Sequence, residues 1–227
     1  QIGPVRFSVD PKRLASSRPF GHRVVVRKTG LKMTESEETP GIQEIYARLM
    51  VDQNRNDLIL DDLIASLEEG RSPMLLTERR DHIEFFANRL QKVARNVVVL
   101  KGGGGPKARR KAVGELAEIP DSEERVLLAT GRFIGEGFDD PRLDTLFLAL
   151  PIAWKGTLVQ YAGRLHRQHQ GKTEVRIYDY VDEAIPVLHR MFEKRLKGYL
   201  AMGYEVDHSD SSSGSAGREY VIEYEDE

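Results

Sequence analysis

The chain has 227 residues, 40% of them hydrophobic and 31% charged, and it has no cysteine. That is enough chain to bury roughly 70% of its unfolded surface, and the missing thiols exclude disulfides, thiolate metal sites and cysteine nucleophiles. The formal net charge of −2 conceals an asymmetry: residues 203–227 hold eight acids and one arginine, −7 in all, which leaves +5 on residues 1–202. A modestly basic body with an acidic tail is compatible with a polyanionic partner.

No apolar run approaches the ~18 residues of a membrane span, and no secretory signal opens the chain. The absence of cysteine fits a reducing, cytoplasmic setting. A start at "QIGPVRF", without an initiator Met, reads as a chain processed or cut from something longer.

The first expected element is a strand, "HRVVVRK", at residues 22–28. The polar run "MTESEETPG" at 33–41 reads as a linker or exposed loop. Two helices are expected at 42–50 and 54–69, the second with apolar Leu58, Leu63, Ile64 and Leu67 and with Gly70 waiting at its end. The acids Asp57, Asp61 and Asp62 read as its solvated side. From Pro73 the apolar runs "PMLLT", "NVVVL", "RVLLAT", "TLFLAL" and "EVRIYDY" alternate with segments of helical period. Strands apolar nearly throughout, separated by helices, predict a doubly wound α/β unit with a parallel sheet covered on both faces. A helix at 184–203 closes it, "HSDSSSGSAG" is a spacer, and Asp179 and Asp182 read as strand-end caps.

Ligands of such a sheet gather at the carboxyl edge of its strands. Four loops should therefore share one rim: "TERRD" (77–81), "KGGGGPKARR" (101–110), "GRFIGEGFDDPR" (131–142) and "PIAWKGT" (151–157). A phosphate loop is not among them. Gly171-Lys172-Thr173 supplies only the end of G-x-x-x-x-G-K-[ST], with His166 where the first glycine belongs, and it leaves a helix to enter a strand. After "GGGG" at 102–105 come Pro106, Lys107 and Ala108, with no hydroxyl to hold magnesium. His166 and His169 have H-x-x-H spacing without a third ligand, so no metal site is expected. Trp154 lies in a loop, where packing competes with stacking on a base.

Within "VQYAGRLHRQHQGKT", Gln160, Arg164 and Arg167 fall on one face of a helix, opposite Leu158, Tyr161, Ala162 and Leu165. Taken alone, two helical arginines are more often a solvated face. Their neighbours change that reading. "QYAGRLHR" resembles the Q-x-x-G-R-x-x-R signature, motif VI, of superfamily 2 helicases. "LLATGRFIGEGFDDPRLDTLFL" resembles their motif V, "MLLTERRDHIEFFANRL" looks like motif IV, and "VVVLKGGGGPKARRKAVGEL" looks like the strand, glycine turn and basic helix between them. The match keeps order and spacing over residues 73–181. "EGFDD" and "GRLHR" look closest to restriction-type Res-subunit and related DEAD/DEAH-like bacterial helicases.

The resemblance implies the second, C-terminal RecA-like domain of an ATP-dependent helicase or translocase. In that family the first domain carries the phosphate loop and binds most of the ATP and Mg2+, so an N-terminal RecA-like domain of the same polypeptide is the implied partner, and this chain alone would hydrolyse almost no ATP. The catalytic roles fall on Arg164 and Arg167 as arginine fingers, with Gln160 sensing the nucleotide. Gly137 and Asp139 would reach the ribose and the domain interface. Thr77, Arg79, Arg80, Thr130, Lys107 and Arg109 would meet nucleic-acid phosphates, DNA more than RNA. Residues 1–70 would be a connector plus a helical extension, 71–203 the RecA-like domain, and 204–227 a flexible acidic tail. Two alternatives stand beside this: a non-catalytic nucleic-acid-binding or scaffold module, and an unrelated doubly wound enzyme such as a sugar-nucleotide transferase.

Overall fold

The computed structural model describes residues 18–32, 40–102, 105–135, 138–152 and 155–208. The linker at 33–39, the spacer and acidic end from 209, Gly137 and Trp154 lie outside the described residues. The elements are β1 (Gly21–Lys28), α1 (Ile42–Val51), α2 (Gln53–Glu68), β2 (Pro73–Leu76), α3 (Arg80–Leu90), β3 (Val97–Leu100), α4 (Gly105–Ala117), β4 (Val126–Ala129), α5 (Gly131–Gly135), β5 (Thr145–Leu148), α6 (Lys155–Leu165), β6 (Glu174–Val181), α7 (Pro186–Ala201) and β7 (Glu205–Asp207).

The seven strands form one sheet in the order β3-β4-β2-β5-β6-β1-β7, and every pairing is parallel. β2, β4 and β5 are buried along their whole length, which is why they read as unbroken apolar runs rather than as alternation. Successive side chains still part to opposite faces. Met74 and Leu76 join the cluster formed with α4 to α7, whereas Leu75 joins the one formed with α2 and α3. A third cluster seats α1 on the start of α7, joining Ile45 and Leu49 to Leu150, Leu188 and Met191. This is the expected doubly wound α/β fold.

The structure amends several local expectations. β1 is not an appendage: it lies inside the sheet, paired with β6 from Gly21↔Glu174 to Lys28↔Val181, and its other edge carries β7. Residues 205–207, expected within a flexible tail, are that short edge strand. Asp62 is buried rather than solvated, gripped by Arg27 at 2.7 and 2.9 Å and by the Tyr180 hydroxyl at 3.0 Å. Asp179 is no cap either. It takes a two-pronged grip from Arg195 at 2.7 and 2.8 Å and a bond from Tyr199, all three buried. Carboxylates so deep in the protein are tolerated only when charge-paired and hydrogen-bonded.

Candidate functional site

Because all seven strands run the same way, the segments after β2, β3, β4 and β5 share one rim of the sheet. α6 starts at that rim and runs down the sheet to the opposite edge, where β6 begins. Its Leu158, Tyr161, Ala162 and Leu165 are 0–3% exposed and pack on the sheet, while Val159, Gln160 and Gly163 face out. The helix stops at Leu165, so Arg167 is carried by the turn that follows and not by the helix itself. Both arginines nevertheless meet the segment after β4. Arg164 Nη2 reaches the Ile134 carbonyl at 3.5 Å, and Arg167 Nε donates to Asp139 Oδ1 at 3.0 Å. The Arg167–Asp139 pair is roughly half exposed on both sides. Such a pair is worth at most about 1 kcal/mol, so the guanidinium is cheaply released to a competing anion. Gly137 lies outside the described residues, and Gln160 is exposed on the same side of α6.

The turn before β6 explains what "GKT" does. Gly171 sits at φ +82°, a left-handed conformation that costs a residue with a Cβ. Lys172 then points inward, and its ammonium lies 2.6–3.1 Å from the carbonyls of Pro141, Leu143, Leu165 and Arg167. It ties the end of α6 to the segment before β5. Burial lowers its pKa to about 8, and it is committed to backbone, not phosphate.

The expected nucleic-acid residues divide. Thr77 is 1% exposed and Thr130 7%, and both hydroxyls are used internally: the Arg79 amide donates to Thr77 Oγ1 at 3.3 Å, and the Gly102 amide donates to Thr130 Oγ1 at 2.9 Å. They shape the loops rather than face solvent. The cations are placed outside. Arg80 and Lys107 are exposed; Arg79 is half-buried and bonds Gln43 of α1; Arg109 lies over the Phe133 ring with its guanidinium carbon 4.6 Å from the centroid. Arg80 also donates to the Gly102 carbonyl at 3.0 Å. Between α3 and α4 lies an open groove of about 480 Å³ lined by Arg80, Lys101, Gly102, Ala108, Ala112 and Phe133; of the expected nucleic-acid cations it takes only Arg80. Among the described residues no group of three His, Asp or Glu is placed to hold a metal, and no helix is long and apolar enough to cross a membrane.

Sequence reasoning missed three features of this rim. One is a relay from the loop after β2: Thr77 Oγ1 to His82 Nδ1 at 3.2 Å, and His82 Nε2 to Asn56 Oδ1 at 3.0 Å. The second is Arg125, which holds both oxygens of Asp140 at 2.9 and 2.7 Å and fixes the segment beside Asp139. The third is a hydrogen bond from the Tyr161 hydroxyl to Glu78, packed across Gly131. A buried tyrosine hydroxyl demands a partner, and that demand was the available signal; its partner was not readable.

No protein-family model matches the chain. It is 38% identical over 86 residues to protein 108L of invertebrate iridescent virus 3, a match covering 78% of that protein and 38% of this chain. The chain belongs to one family with that viral protein. It is also 26% identical over 188 residues to the transcript termination protein A18 of fowlpox virus, across 81% of this chain but only 40% of the fowlpox protein. By structure it is similar to T4 UvsW (TM-score 0.64, 16% identity, 83% of this chain and 41% of the other). It is similar as well to the C-terminal part of the Fun30 ATPase domain (TM-score 0.54, 14% identity, 63% and 46%). The likeness shows the fold: a RecA-like α/β domain with a parallel sheet.

Proposed function

We propose that this chain is the C-terminal motor lobe of an ATP-dependent nucleic-acid helicase or translocase, of the restriction-type Res-subunit kind. One observation carries the reading: Arg164 and Arg167 come together at the C-terminal end of α6, against the segment 131–140, in a fold similar to that of T4 UvsW.

Phosphoryl transfer needs positive charge where the γ-phosphate develops it, and a planar guanidinium from a facing domain supplies it. The end of α6 would supply that part of an ATP site. It offers two arginine forks, Gln160 and Asp139, whereas Lys172, the one lysine of the "GKT", is spent on carbonyls. The triphosphate and Mg2+ would therefore be held by an N-terminal RecA-like lobe of the same polypeptide, with Gly137 and Asp139 near the ribose. ATP supplies the phosphoanhydride whose hydrolysis would drive closure and release of the two lobes. Residues 1–70 would connect to that lobe and contribute β1, α1 and α2, 71–203 would form most of the motor lobe, and the acidic tail 204–227 would begin with the edge strand β7. The setting would be cytoplasmic.

Arg79, Arg80, Lys107 and Arg109 would meet phosphates without reading sequence, as a tracking motor requires, on loops that Thr77 and Thr130 brace. DNA is the proposed track. The fowlpox relative's name, transcript termination protein, makes a transcribed template a candidate form of it.

The test is made in a polypeptide carrying both lobes. Arg164→Ala and Arg167→Ala should each retain ATP affinity and lower the hydrolysis rate, by about 10³-fold if the residue is a finger. Unchanged turnover in both would refute the motor reading and leave a non-catalytic nucleic-acid-binding module.

A further inference from the structure

Three rim segments meet at one point. Glu78 belongs to the loop after β2, Gly131 starts α5, and Tyr161 lies on α6 one turn before Arg164. A Cβ built on Gly131 would overlap both the Tyr161 hydroxyl and a Glu78 carboxylate oxygen. The glycine is thus required by the pair that closes over it, since its φ is unexceptional. Tyr161 is 3% exposed and its hydroxyl is hydrogen-bonded to Glu78. Glu78 keeps its stem in solvent but turns its carboxylate inward. Desolvation draws that carboxyl above the usual carboxylate range, with the tyrosine's hydrogen bond pulling the other way. Burial, and then the Glu78 charge, push Tyr161 up to about 12, so the hydroxyl stays the donor and the carboxylate the acceptor.

The contact joins the two sides of the proposed motor. Arg79 and Arg80 directly follow Glu78. On the other side, Tyr161 precedes Arg164 by three residues on the same helix, and Arg164 bonds Ile134 of the very helix that Gly131 begins. We infer that Glu78 and Tyr161, meeting over Gly131, are positioning residues: a latch that sets α6 and its arginine relative to the nucleic-acid loop, so that occupancy of that loop alters how Arg164 is presented. The inference rests on the proposed motor function for its consequence, but not for the latch itself. Charge-assisted hydrogen bonds of this kind are about twice as strong as neutral ones, and a two-membered contact over a residue with no side chain has few ways to rearrange gradually.

The first experiment reads the latch without any ligand. Amide exchange is followed on the 227-residue chain for peptides spanning 131–135 and 155–165. Tyr161→Phe keeps the ring and removes the hydroxyl, and Glu78→Ala removes the acceptor. Each should speed exchange of both peptides about tenfold, the double variant should be no faster than either single one, and Glu78→Gln, which can still accept the bond, should restore most of the protection. Additive effects, or no effect, overturn the latch.

The second experiment reads its consequence in the two-lobed polypeptide, as ATP hydrolysis with and without a single-stranded 20-nucleotide DNA probe. Tyr161→Phe should leave basal hydrolysis within about twofold and cut the stimulation by DNA about tenfold, a split that a general loss of stability would not produce. Equal stimulation in wild type and variant overturns the transmission. A wild type that DNA does not stimulate overturns the motor reading and the transmission together, while the latch is still decided by exchange.

Discussion

His82 gives the sharpest physical prediction. It is 1% exposed and sits in a hydrogen-bond chain whose direction is set at the Asn56 end, where Oδ1 can only accept. The Arg79 amide can only donate to Thr77 Oγ1, and Asn56 Nδ2 can only donate to the Met50 carbonyl, at 2.8 Å. His82 must therefore carry its proton on Nε2 to donate to Asn56 Oδ1, and its neutral Nδ1 accepts from the Thr77 hydroxyl. A second proton on Nδ1 would turn that acceptor into a donor facing the Thr77 hydroxyl. Burial, and next the nearby Arg55 charge, lower the His82 pKa from 6.5 to about 3. The unfolded chain therefore takes up a proton below about pH 6.5 that the folded chain refuses until about pH 3. Across that window the unfolded state binds more protons, so stability falls as pH falls; above it His82 contributes no pH dependence. At about pH 5 the loss is 1.5 pH units at about 1.4 kcal/mol each, or about 2 kcal/mol.

His82→Gln keeps one donor and one acceptor but cannot titrate. Urea unfolding followed by circular dichroism should find it about 1–3 kcal/mol less stable at neutral pH. Between about pH 7.5 and about pH 5 the gap to wild type should shrink by about 2 kcal/mol. His166, also lowered to about 3 by burial first, steepens both acid limbs equally and cancels in the comparison. A gap that stays constant across that range would refute both the buried-neutral assignment and the directed chain.

Arg195→Met should destabilise the fold by about 3–5 kcal/mol in urea unfolding, because it strands the Asp179 carboxylate between β6 and α7, and Asp179→Asn in the same chain should recover part of the loss. Lys172→Met leaves the carbonyls of Pro141, Leu143, Leu165 and Arg167 without their shared donor. It should cost about 2–3 kcal/mol and raise amide exchange through the turn carrying Arg167. Arg80→Glu with Lys107→Glu should weaken binding of a single-stranded oligonucleotide and reduce the slope of log affinity against log salt by about 0.7 for each phosphate left unneutralised; an unchanged slope would remove those two residues from the track.

β2, β4 and β5 were legible because each is buried on both faces, and a central parallel strand must then be apolar throughout. β1 was legible as a strand but not as an interior one. Its place between β6 and β7 depends on a crossover that residue period does not encode. β7 escaped because three residues, Glu205, Val206 and Asp207, carry no apolar run. Asp62 and Asp179 were misread for a related reason. Their partners Arg27 and Arg195 lie 35 and 16 residues away, and an acid on a helix or at a strand end looks the same in sequence whether it meets water or a guanidinium. Gln160, Arg164 and Arg167 were legible as a set through their spacing, yet the end of α6 at Leu165 moves Arg167 onto a turn.

What separates the arginines of this chain is how much it costs to move them. Arg55 and Arg195 are 0% and 3% exposed and are committed to Asp182 and Asp179; pulling either away leaves a buried charge and costs about 3–5 kcal/mol. Arg167 is more than half exposed against a half-exposed partner, a bond worth at most about 1 kcal/mol. Among the described residues, Arg164 is held by a long bond to a backbone carbonyl. A residue that must exchange a resting partner for a phosphate, and return once per cycle, has to be of the second kind, since each kcal/mol of resting interaction subtracts directly from what the phosphate contact can contribute. The buried pairs hold β6 to α2 and α7 while the two cheaply held arginines wait at the end of α6. An arginine there found to be as costly to displace as Arg195 would therefore be disqualified as a finger, whatever motif it occupied.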